Sequence, residues 1–213
     1  IKHNYASSTL LGTDGDYYRD IRYYWNYVAT KDSSNGYGLN SWDTSLLNKT
    51  NLNTNFINNI GTEWANKISN STWKVSGYNF LGLTAKEMYN VEIGNATKTF
   101  VDSNGMSKIG LMYASDYGFG AVPEAWTKTL YDYDGSVNGS TIRSQNWMYM
   151  GNYDWTISRD AGDSDRAFYV YDDGTVRGFD VGYNYGVRAS FNLEPSVSYV
   201  SGSGSMSDPV RIN

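Results

Sequence analysis

A hairpin pattern in the C-terminal third constrains the fold more than any other feature of this chain. Residues 167–171 and 175–179 are strand-like runs rich in aromatic and β-branched side chains, and Asp172, Asp173 and Gly174 separate them. An Asp-Gly pair between two such runs is typical of a tight β-hairpin turn. The runs 186–193, 197–201 and 210–212 predict further strands. We therefore expect a β-rich C-terminal third.

Helical signals come earlier in the chain. Within residues 41–68, apolar side chains recur every four positions, which is the spacing of one helix face, at Phe56, Ile60, Trp64 and Ile68. Asn53 or Thr54 is the expected N-cap of this helix. Residues 84–87 have the form of a capping box, and Pro123 with Glu124 opens another short helix. Short helices early and strands late predict the α+β class with a mostly antiparallel sheet.

Composition restricts the class of partner. The chain has 213 residues, a length that favours one domain, and 20 tyrosines, more than a core needs. Tyrosine suits binding surfaces because it is large, stiff and polar at its tip, although many of these side chains also suit the face of a sheet. The net charge of −5 and the lack of a basic block argue against nucleic acid. No apolar run approaches about 18 residues, so we expect no membrane span in this segment.

Cysteine is absent and His3 is the single histidine. This composition excludes a Cys-His catalytic site and a zinc site with several Cys or His ligands. No pair of carboxylates is marked out for glycoside hydrolysis, so we expect that the protein is not an enzyme. The Asn-, Tyr-, Ser- and Gly-rich, cysteine-free composition is typical of extracellular proteins at the surface of Gram-positive bacteria. The chain begins with Ile1 rather than Met, which predicts that an upstream segment has been removed.

The candidate ligand-binding residues lie among Gly, Asn and Asp in the late loops, and they are Tyr149, Asn152, Tyr153, Tyr183 and Tyr185. Together they would form an aromatic platform for sugar rings or for a protein partner. The alternative is that these rings pack in the core or on a sheet face. Trp155 belongs to that alternative, because it begins the apolar pattern of a buried strand.

Charged residues suggest two further features. Asp160, Asp163 and Asp165 form the densest acidic loop, and hard cations such as Ca²⁺ bind carboxylates of this kind. The spacing lacks the Gly and distal Glu of an EF-hand, so a solvated turn is the alternative and no cofactor is required. Arg188 lies in an otherwise apolar strand and needs a carboxylate partner, for which Asp116 is the candidate.

Four segments carry a resemblance to a known family. They are residues 42–68, 108–118, 155–174 and 185–209. They resemble a domain of surface and secreted proteins of Firmicutes, mostly of unknown function, which is similar to the bacterial C-type-lectin-like fold. The resemblance implies a C-type-lectin-like domain over residues 41–213, preceded by an N-terminal arm and strand region over residues 1–40. It also implies loops that tolerate variation.

The chain departs from this family in places that limit the expected activity. Many relatives carry a Cys pair, and formylglycine-generating enzymes of this fold need active-site Cys, whereas this chain has none. Glu194, Pro195 and Ser196 only echo the Glu-Pro-Asn calcium and sugar motif of animal lectins. The resemblance therefore implies neither that enzymatic activity nor calcium-dependent sugar binding.

Two functions are compatible with these features. The first is an adhesion-type recognition module at the cell surface, which binds a glycan or a surface protein through the loops of residues 146–185. The second is a structural subunit of an extracellular filament, because some relatives are pilin-like. In that case residues 1–20 and the aromatic patch 23–27 would contact another copy of the chain, for example by strand addition.

Overall fold

The structure is a computed structural model that describes residues 5–18, 21–28, 30, 38–79, 82–94, 99–100, 107–205 and 207–213. Short helices precede a part of the chain in which strands dominate. None of the helices in these residues is long and apolar enough to cross a membrane. The expected α+β class, with sheets that are mostly antiparallel, is confirmed.

The elements are short. The α-helices are α1 (Ser8–Leu11), α2 (Ile57–Asn59), α3 (Thr62–Lys67), α4 (Ala85–Tyr89) and α5 (Ala114–Phe119). The 3-10 helices are Trp42–Thr44, Pro123–Thr127, Leu130–Asp132 and Ile142–Gln145, and the π-helical segments are Leu47–Phe56 and Asn90–Gly94. The strands are β1 (Asp16–Tyr18), β2 (Arg22–Tyr24), β3 (Trp73–Lys74), β4 (Thr99–Phe100), β5 (Gly110–Leu111), β6 (Ser136–Val137), β7 (Ser140–Thr141), β8 (Asp154–Arg159), β9 (Arg166–Val170), β10 (Val176–Asp180), β11 (Asn184–Gly186), β12 (Ala189–Ser190), β13 (Tyr199–Ser201) and β14 (Arg211–Ile212).

The main sheet has six strands in the order β1-β2-β11-β8-β9-β10. Neighbouring strands are antiparallel, except that β11 runs parallel to β8. Tyr23 on β2 lies opposite Tyr185 on β11. The N-terminal region and the C-terminal third therefore share one sheet. Two-stranded ladders join β3 to β4, β5 to β12, β6 to β7 and β13 to β14.

The hairpin of β9 and β10 forms as the sequence predicts. The backbone N–H of Tyr171 donates to the carbonyl of Thr175 at 2.8 Å, and that of Gly174 donates back to Tyr171 at 3.0 Å. Gly174 has a φ of 93°, which glycine adopts without the steric cost that a side chain would impose. Asp173 accepts from the N–H of Thr175 at 2.9 Å, an Asx-type bond that closes the turn.

Apolar side chains cover both faces of the main sheet. Trp155 and Ile157 on β8 and Tyr169 on β9 belong to a first core, whereas Phe168 and Val170 on β9 belong to a second. The first core also contains the N-terminal region and the π-helical segment, through Leu11, Trp25, Trp42, Leu47 and Leu52. The second core packs α4 and α5 on the opposite face. A strand buried on both faces shows a continuous apolar run, which explains the composition of β9.

The N-terminal region is anchored inside the first core. Leu11 is fully buried, and the Asn51 side chain donates to its carbonyl at 2.9 Å and to that of Asp14 at 2.7 Å. The N–H of Ala6 donates to the carbonyl of Val187 at 2.9 Å. The segment from Ala6 to Asp14 is therefore held by the rest of the fold. His3 lies outside the described residues, and the boundary between residues 1–40 and 41–213 stays a prediction.

The helix expected from an N-cap at Asn53 or Thr54 to Ile68 is interrupted, so that prediction is wrong in its continuity. Gly61 has a φ of 83°, a conformation that favours glycine, and it separates α2 from α3. The predicted N-cap Asn53 instead accepts from the N–H groups of Lys108 and Ile109, at 3.0 and 2.9 Å. The residues predicted to share one buried helix face do not share one environment, because Ile68 is buried while Trp64 is 49% exposed.

The capping box predicted at residues 84–87 is present and begins α4. The backbone N–H of Thr84 donates to the Glu87 carboxylate at 2.9 Å, and the N–H of Glu87 donates to the Thr84 hydroxyl at 3.4 Å. Hydrogen bonds to Thr84 lower the pKa of Glu87. This signal lies within four residues, which is why the sequence alone locates it.

The predicted partner of Arg188 is wrong. Its guanidinium pairs with Asp154 at 2.8 Å, and both side chains are buried. Asp116 instead accepts from the N–H of Tyr113 at 2.9 Å and closes the N-terminus of α5. Asp154 is available to Arg188 because β8 and β11 run in parallel, with Gly186 opposite Asp154.

Candidate binding surface

A network of aromatic rings links three of the predicted ligand-binding residues. Tyr153 stacks on Tyr185 with 5.2 Å between ring centroids and 26° between ring planes. Tyr185 stacks in turn on Tyr169 at 4.4 Å. Tyr171, which follows β9, meets Tyr153 edge to face at 5.0 Å. Such ring pairs add stability beyond their buried area and hold each other in place.

The network continues to the edge strand β10. Phe179 lies 6.2 Å from Tyr169, and Tyr183, the third of those predicted residues, packs edge to face on Phe179 at 4.6 Å. Phe179 and Tyr183 are 38% and 50% exposed, so much of their ring area faces solvent. We call Tyr153, Tyr171, Phe179 and Tyr183 the aromatic surface.

Tyr185 and Trp155 form the base of this surface. Tyr185 is only 8% exposed, and its ring lies 4.5 Å from that of Trp155. The indole N–H of Trp155 donates to the carbonyl of Tyr23 at 2.8 Å. Burial raises the pKa of Tyr185 and of Tyr169, so both hydroxyls are neutral at physiological pH. Tyr185 therefore supports the exposed rings from beneath, and Trp155 is a core residue as predicted.

Arg177 on β10 lies against the aromatic surface. Its guanidinium carbon is 4.0 Å from the centroid of the Tyr171 ring and 5.7 Å from that of Tyr131. It also pairs with Asp173 at 2.7 Å. A guanidinium over an aromatic ring is attracted by the ring electrons. Arg177 thus fixes Tyr171 and the hairpin turn relative to each other.

Arg22 lies at the other end of the aromatic surface. Its guanidinium carbon is 5.2 Å from the centroid of the Tyr153 ring, and its Nη2 donates to the predicted site residue Asn152 at 2.8 Å. The sequence did not indicate Arg22, because 130 positions separate it from Asn152. Only the pairing of β2 with β11 brings the two ends of the chain together.

Tyr149 has a different environment from the other predicted tyrosines. It packs against the second core, and its hydroxyl donates to the backbone carbonyl of Asp172 in the hairpin turn. This contact holds the turn from the side of the second core. Tyr149 is therefore placed to support Asp172 rather than to extend the ring network.

The predicted acidic loop is organised by internal contacts. Asp160 accepts from the N–H of Gly162 at 2.8 Å, and Asp163 pairs with Arg166 at 3.0 Å. Burial raises the pKa of Asp160. Within the residues that the structure describes, no group of three or more Asp, Glu, His or Cys side chains is placed to hold a metal ion. Calcium binding by Asp160, Asp163 and Asp165 stays a prediction.

A buried carboxyl lies apart from these features. Glu92 is fully buried, and its Oε1 accepts from the N–H of Ala114 at 3.1 Å and from the hydroxyl of Ser158. Burial raises its pKa to about 7. A raised carboxyl pKa is a property of general acids, but Glu92 has no exposed atom with which to meet a substrate. Its contacts are those of a group that stabilises the N-terminus of α5.

The chain matches no protein-family model, no curated protein and no solved structure. The resemblance to a surface domain of Firmicutes and the C-type-lectin-like fold therefore stay predictions.

Proposed function

We propose that the protein is a non-enzymatic recognition module that binds a glycan or a surface protein through the aromatic surface. The observation that carries this proposal is the ring network, whose outer members, Phe179 and Tyr183, remain exposed. Exposed aromatic area of this kind is typical of binding sites, where rings supply contact area at a low cost in conformational entropy.

A glycan is the favoured ligand. Sugar rings present apolar C–H faces and polar hydroxyl edges, and the aromatic surface offers both kinds of partner. The exposed Tyr183 ring provides apolar area, while Asn152 and Arg22 provide hydrogen-bonding groups at the other end of the surface. Tyrosine itself combines an apolar ring with a polar tip. A protein partner would use the same contacts.

The proposal includes a location outside the cell or at its surface, supported by the composition. Absence of cysteine and the abundance of Asn, Tyr, Ser and Gly favour it. That the module is non-enzymatic is supported by the composition, which lacks cysteine and has His3 as its single histidine.

The test is a glycan array, followed by calorimetric titration of the best glycan with variants of the aromatic surface. We expect Tyr183→Ala and Tyr153→Ala to weaken binding by about 10-fold or more, as truncation of a contact residue does. Tyr199→Ala is the matched control, because Tyr199 is 67% exposed on the separate hairpin of β13 and β14.

A second experiment covers a protein partner. The same three variants are compared as baits in pull-downs from the cell-surface proteins of organisms in the native habitat. If neither glycans nor surface proteins distinguish Tyr183→Ala from Tyr199→Ala, the aromatic surface is not a binding site and the proposal is wrong.

A structural subunit of a filament is the second candidate, and one observation favours it. The hairpin of β13 and β14 exposes apolar side chains, with Tyr199, Val200 and Val210 at 67%, 59% and 40% exposure. It forms a two-stranded ladder of its own, and open strand edges are able to pair with another chain. A contact of this kind repeats from copy to copy and builds fibres.

Negative-stain microscopy of the wild type and of Val200→Lys tests this candidate. Filaments that Val200→Lys abolishes would support assembly through the hairpin, whereas a monodisperse monomer at every concentration would count against it. Removal of residues 1–20 is not a suitable test, since Leu11 is fully buried in the first core and its loss would destabilise the fold.

A further inference from the structure

A cavity of about 520 Å³ lies on one face of β10, beside the acidic loop and the 3-10 helix Leu130–Asp132. Its lining combines carboxylates with an aromatic ring and bare backbone, and the residues that matter here are Tyr131, Asp132, Asp160, Asp163, Arg166 and Gly178. Successive side chains of a strand point to opposite faces of the sheet. Phe179, which belongs to the aromatic surface, therefore lies on the other face of β10, and the cavity is a separate feature.

β10 is the last strand of the main sheet in the described part of the chain, so one of its edges has no neighbouring strand. Backbone groups of an antiparallel strand face its partner at every second residue. Thr175 faces β9, because its carbonyl accepts from the N–H of Tyr171 at 2.8 Å. Arg177 and Phe179 then face β9 as well, whereas the N–H and carbonyl of Gly178 point to the open edge. No hydrogen bond joins these two groups to another described residue on that side. Unpaired backbone groups at a sheet edge are a template for a further strand.

Gly178 makes the cavity reachable from this edge. Val176 is buried, but Gly178 is partly exposed and Phe179 is 38% exposed. A Cβ on Gly178 would lie 3.2 Å from Oδ2 of Asp160, so the glycine leaves that oxygen uncovered. Glycine inside a strand often marks a place where another backbone or a ligand approaches closely. Since residues opposite each other in paired strands point their side chains to the same face, a residue paired with Gly178 would direct its side chain towards Asp160.

The charges of the cavity select the side chain that enters it. Arg166 is the only cation among the described lining residues, and it already pairs with Asp163 at 3.0 Å. Arg177 belongs to the other face of β10, where it is paired within the hairpin turn. Among the described residues, no cation forms an ion pair with Asp132 or Asp160. Burial raises the pKa of Asp160, so a cation beside it would stabilise its charged form. A basic side chain therefore fits the cavity, whereas an acidic one would be repelled.

We propose that the open edge of β10 binds an extended peptide segment of a partner protein, whose backbone pairs with Gly178 and whose arginine or lysine side chain enters the cavity to meet Asp160 and Asp132. Main-chain hydrogen bonds supply affinity in strand addition, and the alternate side chains supply specificity. The inference goes beyond the proposed function and does not rest on it, because the cavity and the aromatic surface lie on opposite faces of β10.

NMR spectroscopy of the ¹⁵N-labelled full chain tests the proposal through the backbone amide signal of Gly178, which Gly178→Ala identifies. The probe is the acetylated and amidated heptapeptide Ser-Thr-Val-Arg-Val-Thr-Ser. A peptide with citrulline in place of arginine has nearly the same shape without the charge, and argininamide has the charge without a strand. We expect the arginine peptide to shift the Gly178 signal in a saturable way. The citrulline peptide should bind about 3- to 10-fold more weakly, the value of a charge-assisted hydrogen bond at a partly exposed carboxylate.

Methylation of the peptide backbone tests the pairing itself. With arginine opposite Gly178, the N–H groups of the arginine and both threonines face β10, and those of the two valines face away. Methylation of the arginine and threonine nitrogens should abolish binding, whereas methylation of the valine nitrogens should leave most of it.

Variants of the protein test the charge. Asp160→Asn keeps an oxygen for the N–H of Gly162 and removes the carboxylate, so the affinity for the arginine peptide should fall by about 3- to 10-fold. Asp208→Asn is the matched control, because it changes the net charge equally on the separate hairpin of β13 and β14 and also removes an ion pair between residues three positions apart. If Asp160→Asn does not fold, Asp132→Asn takes its place and the same loss is expected.

Several results would overturn the inference. One is that the arginine peptide leaves the Gly178 signal unchanged at its solubility limit. Others are that citrulline or argininamide binds as tightly as the arginine peptide, or that both methylated peptides bind equally well. Equal affinities of the wild type and Asp160→Asn, or equal losses in Asp160→Asn and Asp208→Asn, would also refute it.

Discussion

Replacing Glu92 by glutamine is expected to change how the stability of the fold depends on pH. In the folded protein, burial raises the pKa of the Glu92 carboxyl from 4.5 to about 7, although hydrogen bonds from Ser115 and Ser158 oppose the rise. The folded pKa is thus higher than the unfolded one. Protonated Glu92 therefore stabilises the fold below pH 4.5, and this contribution is lost as the pH rises through about 7.

The structure gives the size of the effect. One pKa unit corresponds to about 1.4 kcal/mol, so the rise at Glu92 amounts to about 3 kcal/mol of folding free energy. Glutamine at this position does not ionise, yet it keeps one oxygen that accepts from the N–H of Ala114. Relative to the wild type, Glu92→Gln should gain about 3 kcal/mol of stability as the pH rises from about 4 to about 8.

Urea denaturation followed by tryptophan fluorescence measures this difference across a pH series. Glu87→Gln is the control, because the pH dependence of stability that Glu87 contributes has the opposite sign. The capping box lowers the pKa of Glu87, so Glu87 stabilises the fold above its unfolded pKa and this stability is lost as the pH falls. If the curves of wild type and Glu92→Gln run parallel over the whole series, the reasoning about the buried carboxyl is refuted.

Three further changes should reduce stability by different routes, and urea denaturation at neutral pH measures each. Asp154→Ala leaves the buried guanidinium of Arg188 unpaired and should cost about 3–5 kcal/mol; a loss below about 1 kcal/mol would contradict this. Gly77→Ala would drive a Cβ into the backbone carbonyl oxygen of Arg159 on β8, so the urea midpoint should fall sharply. An unchanged midpoint would show that the backbone around Gly77 moves away from β8 at no cost in stability. Tyr185→Ala should lower the free energy of unfolding by about 3–5 kcal/mol, because the Tyr185 ring is buried. Tyr183→Ala should change it by no more than about 0.5 kcal/mol, because the Tyr183 ring is exposed. Equal losses would show that Tyr185 is not a buried support for the exposed rings.

Local signals in the sequence were sufficient for several elements. The hairpin turn at Gly174 and the capping box of Thr84 and Glu87 each depend on residues within a few positions of one another. The interruption at Gly61 was missed because a four-residue apolar period continues through it, although positive φ at glycine is a known helix ending. Periodicity describes the preferred face of a helix and not its continuity.

Features that depend on distant pairing were not predictable in this way. Arg188 pairs with Asp154 rather than Asp116 because of the parallel contact between β11 and β8, which no short pattern encodes. The same applies to the aromatic surface. Its late tyrosines were predicted from their Gly- and Asn-rich neighbours, whereas Arg22 joins it only through the pairing of β2 with β11.

The pairing of β2 with β11 also determines when the protein is able to fold. Arg22 lies opposite Gly186, so the sheet closes only after nearly all of these 213 residues have been synthesised. Contacts between such distant positions slow folding, because loop-closure entropy is lost before the contacts form. Until β11 is synthesised, β2 offers an unpaired edge to other chains, and aggregation competes with folding. Production of this protein should therefore benefit from slow synthesis and low temperature more than from stabilising the finished fold.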